Sequence, residues 1–325
     1  MTLPALIRFG YGAALTAILG ACGGPGANAK SPNGAPSGAN DIGASHDADL
    51  AGARGKTEDL SEATSLDGLK QRLAPGSLAG IARLNLAARA FGPDLGSVLG
   101  DSAALDGLVA LDVSDNGLGP SGVGSLAVSP HLGALRQLDL GGNDIADSGA
   151  GALGRSERFA ALKVLNLSGN GIGPGGVRSL AASPLLDGIR SLDLSMNAIG
   201  GDGAQALADS PHLGNLRSLF LLGCDIGPDG AAALARSSAL GGLTVLALSG
   251  NAVGDTGARA LADAPALQKL ETLDLSANSI GDAGAEALAG AQNLHALRSL
   301  QLFGNDFGPK GASALKRRFG DALTL

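Results

Sequence analysis

The chain has 325 residues, a formal charge of −7 and 45% apolar residues, with 53 Gly, no Trp, one Tyr and seven Phe. That apolar content fills a sizeable core, and a core so poor in aromatics is built from Leu and Ala in small repeated layers. The acidic balance lacks the basic footprint of a nucleic-acid binder, so nucleic acid is set aside as a partner.

Residues 1–21 carry one basic residue, Arg8, then an apolar run from Phe9 to Leu19, then Gly20 and Ala21. This is the order of parts of a secretory signal peptide. The run is shorter than the ~17–25 residues that span a bilayer as a permanent helix. The tetrad Leu19-Gly20-Ala21-Cys22 resembles the lipobox of bacterial lipoproteins. That resemblance implies a diacylated Cys22 as first residue of the mature chain and a lipid as the only membrane contact. Two or three acyl chains hold a protein firmly, since each buried methylene contributes about 0.8 kcal/mol.

Residues 22–56 are Gly, Pro, Ala, Ser and Asn with almost no large apolar side chain. Such a segment cannot bury enough surface to fold and reads as a disordered tether. His46 lies in it without a partner cluster. Residues 57–77 follow as an N-terminal capping region, in which Leu60, Leu66, Leu69 and Leu73 suit one face of a capping helix.

From residue 78 to 325 the chain repeats. Asn116, Asn143, Asn170, Asn197, Cys224, Asn251, Asn278 and Asn305 recur every 27 residues without a slip. Five residues before each stands a leucine, from Leu111 to Leu300, and three before stands Val113 or a leucine, from Leu140 to Leu302. An earlier copy carries Arg89 in the Asn place. Leu-x-Leu is the two-residue period of a short strand with one buried face. An Asn just beyond it can satisfy backbone groups that a tight bend leaves unpaired, so the column is structural. Next comes an apolar residue such as Ile145 or Ile172, then a glycine and a leucine four later, such as Gly149 and Leu153. That spacing suits a short helix with one inward face, and Ser-Pro pairs such as Ser129-Pro130 and Ser183-Pro184 then stop it.

No such unit can bury its apolar edge alone. Successive units must stack into an α/β solenoid, a curved horseshoe with parallel strands on the concave face and short helices on the convex face. Nine strands at ~4.8 Å spacing give an inner sheet on the order of 40 Å across. The pattern resembles the ribonuclease-inhibitor-like class of leucine-rich repeats, and most closely its 27-residue bacterial form. The run from Leu315 to Asp321 is similar to the C-terminal cap of such proteins. The resemblance implies a protein-binding scaffold without an enzymatic reaction or cofactor.

The sequence itself supports no active site. The glycines recur at the repeat period, and His131, His212 and His295 lie on different repeats with no Cys or carboxylate at metal-ligand spacing. Binding is expected instead on strand residues that point outward between the leucines. These form a row of Asp112, Asp139, Asn166, Asp193, Phe220, Ala247, Asp274 and Gln301, acidic at several steps. Just upstream, Arg136, Lys163, Arg190, Arg217 and Arg298 make a basic edge. Departures from the repeat carry more information than the repeat. Phe220 and Leu222 stand where other strands hold Asp and Ser, and Met196, Val245 and Phe303 would enlarge an exposed apolar patch. Cys224 reads as a buried variant of the Asn column.

The expectation is a scaffold binding an unidentified protein or envelope component, exported and lipid-anchored at a bacterial periplasm or cell surface. Two alternatives are a structural envelope array without a high-affinity ligand, and an intracellular GTPase-activating-type regulator if the export reading fails.

Overall fold

A computed structural model describes residues 56–60, 64–74, 76, 78 and 80–325. Cys22, the signal segment and nearly all of the tether lie outside the described residues.

Parallel strands in strict chain order form one sheet, β1 (Lys56–Asp59), β2 (Ile81–Asn85), β3 (Ala110–Asp112), β4 (Gln137–Asp139), β5 (Val164–Asn166), β6 (Ser191–Asp193), β7 (Ser218–Phe220), β8 (Val245–Ala247), β9 (Thr272–Asp274), β10 (Ser299–Gln301) and β11 (Leu323–Thr324). From β2 to β10 each residue pairs with the one a repeat later, as Leu138 with Leu165 and Leu165 with Leu192. Each of β1 to β10 is followed by a crossover helix: α1 (Leu66–Arg72), α2 (Asp94–Gly100), α3 (Gly119–Ala127), α4 (Ala146–Gly154), α5 (Pro174–Ala181), α6 (Gly200–Ala208), α7 (Gly227–Arg236), α8 (Gly254–Ala262), α9 (Asp282–Gly290) and α10 (Pro309–Phe319). The architecture is the expected α/β solenoid.

Among the described residues the sheet has eleven strands, where the sequence leads to nine. β1 takes in Lys56, assigned by composition to the tether, and extends the sheet by pairing with β2 through a register shift between Lys56 and Thr57. The capping helix is shorter than its leucines allowed. It starts at Leu66, where the Ser65 hydroxyl accepts the Gly68 amide at 3.1 Å. Leu60, Leu69 and Leu73 still close the end of the core.

Between sheet and helices runs one core. Leu192, Leu194, Ile199 and Leu207 are all buried within a single repeat, and each such side chain contributes about 1.5–3 kcal/mol on leaving water. The helices pack at backbone distance. A Cβ added at Gly96 of α2 would lie 2.0 Å from the Gly122 carbonyl oxygen of α3, so that position admits only glycine.

Three hydrogen-bonded columns tie the repeats together. In the first, the Asn170 carboxamide accepts the Asn143 amide at 2.8 Å and the Ile145 amide at 3.4 Å from the preceding repeat. It donates to the carbonyls of Leu140 and Leu167 at 2.9 Å and of Ser168 at 3.1 Å. Asn116, Asn143, Asn197, Asn251, Asn278 and Asn305 likewise reach the carbonyl 30 residues back.

The second column is of serines. Ser129 Oγ donates to Gly100 O at 2.6 Å, Ser156 to Ala127 at 2.5 Å, Ser183 to Gly154 at 2.5 Å, Ser210 to Ala181 at 2.6 Å and Ser237 to Ala208 at 2.6 Å. The helices have already ended at Ala127, Ala181 and Ala208. The Ser-Pro pairs stand just beyond these ends, as a helix stop requires, and each serine also caps the preceding repeat's C-terminal carbonyls.

The third column is at the helix starts. Asp255 Oδ1 accepts the amides of Gly281 and Gly284, and Asp282 Oδ1 those of Gly308 and Gly311, between 2.7 and 2.9 Å. Each carboxylate thus sits against the next helix's positive end.

Candidate partner-binding surface

The strand row that faces the concave side is first of all a set of turns. Asp112 Oδ1 accepts the Ser114 amide at 3.0 Å, Asp139 that of Gly141 at 3.0 Å, Asp193 that of Ser195 at 2.8 Å and Asp274 that of Ser276 at 2.9 Å. Asn166 holds the Ser168 amide in the same way at 2.9 Å. Each side chain stabilises the bend leaving its own strand. Asp139 also accepts from Asn166 Nδ2 at 3.0 Å, which links β4 to β5.

Pairing in register sets Asp112 beside Asp139 on adjoining strands. Burial, then the Asp112 charge, push the Asp139 carboxyl up to about 7; Asp193 adds to the rise, and the bonds from Gly141 and Asn166 oppose it. Burial also raises Asp274, against its bonds from Ser276.

The proposed apolar anchors require correction. Phe220 and Leu222 lie at outward register positions of β7 and the turn after it, yet they are 2% and 7% exposed. Their neighbours explain this. Ser195 and Ser249, which flank Leu222 one repeat to either side, are buried, and so are Ser191 and Ser218 in the adjoining row. Ser114, Ser168 and Ser276, at the Leu222 position of other repeats, are only half-buried. Side chains converge on the inside of a curved sheet. Phe220, paired in register with Asp193 and Ala247 and set among buried serines, is accordingly covered by its neighbours. The Asp lost at Phe220 is also replaced, since Ser195 Oγ accepts the Leu222 amide at 3.2 Å.

Val245 is half-buried. Met196 and Phe303 remain exposed, at 39% and 60%. Phe303 follows β10, and Met196 occupies the turn after β6 with φ +59°, a left-handed conformation that side chains adopt at a cost of roughly 1–2 kcal/mol.

Cys224 is free and buried. Its thiol, pushed up to about 12 chiefly by burial, is inert as a nucleophile. It replaces only part of the Asn function, with Sγ 3.3 Å from Leu194 O and 3.6 Å from Leu222 O.

The residues of the basic edge stand immediately before β4, β5, β6, β7 and β10. Lys163 Nζ donates to Gly188 O at 3.2 Å, Arg217 Nη1 to Leu216 O at 2.9 Å, and Arg298 pairs with Glu271 at 3.8 Å. His131 and His212 each lie 2.9 Å from an aspartate of the preceding repeat, Asp106 and Asp187. Among the described residues no group of three or more His, Cys, Asp or Glu side chains gathers as a metal site, and no helix is long and apolar enough to cross a membrane. A shallow hollow of about 460 Å³ lies on the convex side between α5 and α6, lined by Arg178, Asp202, Gln205 and Asp209.

No curated protein matches the chain. Among solved structures it is similar to a TLR13–ssRNA13 complex (20% identity, TM-score 0.49), of which it spans 31% while 75% of this chain is covered. It is also similar to an internalin, InlF, from Listeria monocytogenes (17%, 0.44; 81% of this chain and 71% of that one). A third is the Rad7–Elc1 complex of yeast (16%, 0.46; 79% and 72%). The family match is stronger. The Leucine Rich repeat family matches eight segments, at residues 108–127, 135–154, 161–181, 189–208, 212–235, 243–262, 266–289 and 293–316, together more than half of the chain. With its parallel sheet and 27-residue columns, the chain belongs to the leucine-rich-repeat family.

Proposed function

We propose that this chain is a non-enzymatic interaction scaffold whose concave side captures a protein or envelope component. We further propose that it is exported and held at a bacterial envelope by a lipid on Cys22, as an array of the ribonuclease-inhibitor-like class. Leucine-rich repeats are suited to the first role because the repeat supplies a rigid surface on which a few positions vary freely.

One observation carries the reading. Met196 and Phe303 stay exposed on the strand side of the solenoid although the fold needs neither. Met196 even holds a backbone conformation that glycine takes at the corresponding turn positions, Gly142, Gly169, Gly223 and Gly250. A flexible thioether one strand from the buried Phe220 and an aromatic ring three strands from it are suited to anchoring a partner.

The test is capture of partners by the full chain and by a Met196→Gly/Phe303→Ser variant. Both changes are at exposed positions and the first relieves the backbone, so the variant stays folded. Loss of capture supports the concave scaffold, and unchanged capture refutes these anchors. For the anchor at Cys22, wild type and Cys22→Ser are expressed in a bacterium and compared by intact mass and membrane partitioning. Acyl mass and membrane association in the wild type alone support the lipoprotein reading; two unmodified proteins refute it.

A further inference from the structure

Arg136, Lys163, Arg190 and Arg217 stand at one position of four successive repeats, each immediately before its strand. Their backbones form an unbroken ladder in which the amides of Lys163, Arg190 and Arg217 each donate to the preceding member's carbonyl at 2.8 Å. That ladder fixes the four at one strand separation, ~4.8 Å apart. Arg136, Arg190 and Arg217 are exposed and Lys163 is half-buried.

The same position shows what happens when unlike charges adjoin. Glu271 and Arg298 pair with each other at 3.8 Å. Among the described residues no carboxylate lies within ion-pair distance of Arg136, Lys163 or Arg217, and the first two adjoin. Two unit charges held at the backbone spacing would repel by roughly 0.9 kcal/mol even in water. In a chain of net charge −7 this line of cations is therefore an electrostatic exception. Lys163 and Arg217 lean along it, donating to carbonyls of the next repeat, Gly188 O and Gly242 O.

We propose that this column is the docking track for an extended acidic segment of a partner protein, laid across the repeats. The inference rests on the scaffold reading and specifies its partner's chemistry. An extended segment presents carboxylates on one side about every 6.6 Å, so three of them match the roughly 14 Å from Arg136 to Arg217. Guanidinium groups suit carboxylates because their donors form a planar fork. The row beside the column, Gln137, Val164, Ser191 and Ser218, carries neither a carboxylate to repel such a segment nor an aromatic ring to stack a nucleobase.

The experiment measures fluorescein-labelled decaglutamate binding to the full chain by anisotropy across a salt series. The expected result is salt-sensitive binding that weakens about tenfold or more in Arg136→Gln/Lys163→Gln/Arg217→Gln. A matched Lys316→Gln/Arg317→Gln/Arg318→Gln variant, which removes the basic cluster of α10, should bind as wild type does. A single Arg136→Glu change should also weaken binding, which guards against a fold defect in the triple variant. Undiminished binding by the first triple variant, or loss in the second, overturns the proposal. So does tighter column-dependent binding of an oligonucleotide, heparin or anionic vesicles. If decaglutamate fails while Met196 and Phe303 still govern capture, the track is wrong and the scaffold stands. Column-dependent binding without that capture supports the track and refutes the two apolar anchors.

Discussion

Replacing Asp139 with Asn should make the protein more stable at neutral and alkaline pH. In the unfolded chain this carboxyl titrates near 3.9, whereas in the folded chain burial and Asp112 push it up to about 7. Folding therefore favours the protonated form. The contribution is fully present below about pH 3.9 and is lost as pH rises through 7. The rise from 3.9 to about 7 sets a ceiling of roughly 4 kcal/mol. The residue is half-buried and titrates beside Asp112, so the expected gain at pH 8 is about 1–3 kcal/mol. Asn keeps the needed acceptor, because Asn166 holds the Ser168 amide from the corresponding place on β5. Chemical unfolding of both proteins at pH 4, 6 and 8 measures the effect. The variant should gain at pH 8 and converge on wild type by pH 4; equal or lower stability at pH 8, or a pH-independent difference, would refute the reasoning.

Asn170→Ala removes the acceptor of the Asn143 and Ile145 amides and the donor to three carbonyls, and should cost about 3–5 kcal/mol in chemical unfolding. Cys224→Asn should do the reverse, raising stability by about 1–2 kcal/mol by completing the column between Asn197 and Asn251. Phe220→Ser should cost about 3 kcal/mol by leaving a cavity at a buried position, and calorimetry should show the loss without any partner present. Gly96→Ala should destabilise by at least about 2 kcal/mol through its clash with the Gly122 carbonyl, read as a lowered melting temperature.

The 27-residue period made the solenoid legible because the parallel sheet repeats the period in space, pairing Leu138, Leu165 and Leu192 directly. The ends were harder. Lys56–Asp59 has no Leu-x-Leu alternation, and its strand exists because β2 offers an unpaired edge. The two residues of β11 are likewise defined by pairing with β10. At the candidate surface, alternation puts Phe220 in the row of Asp193 and Ala247, with which it pairs in register, but a place in that row is not exposure. The deciding signal is in neighbouring repeats, where the small Ser191, Ser195, Ala247 and Ser249 surround the position. The serine column was hidden by its prolines, since Ser-Pro is an ordinary helix-stop signal and the Oγ partner lies 29 residues away. The aspartates of the strand row look like a charged binding surface in one dimension, whereas each first secures the amide two residues on.

The most direct test of the central claim places a photo-crosslinking amino acid at Gln137 and Gln301, on the first and third residues of β4 and β10, and at Gln205 on the exposed side of α6. Binding to the strand side predicts adducts with the same partner from Gln137 and Gln301 and none from Gln205. Adducts confined to Gln205 would move the site to the convex helices and contradict a concave binding face.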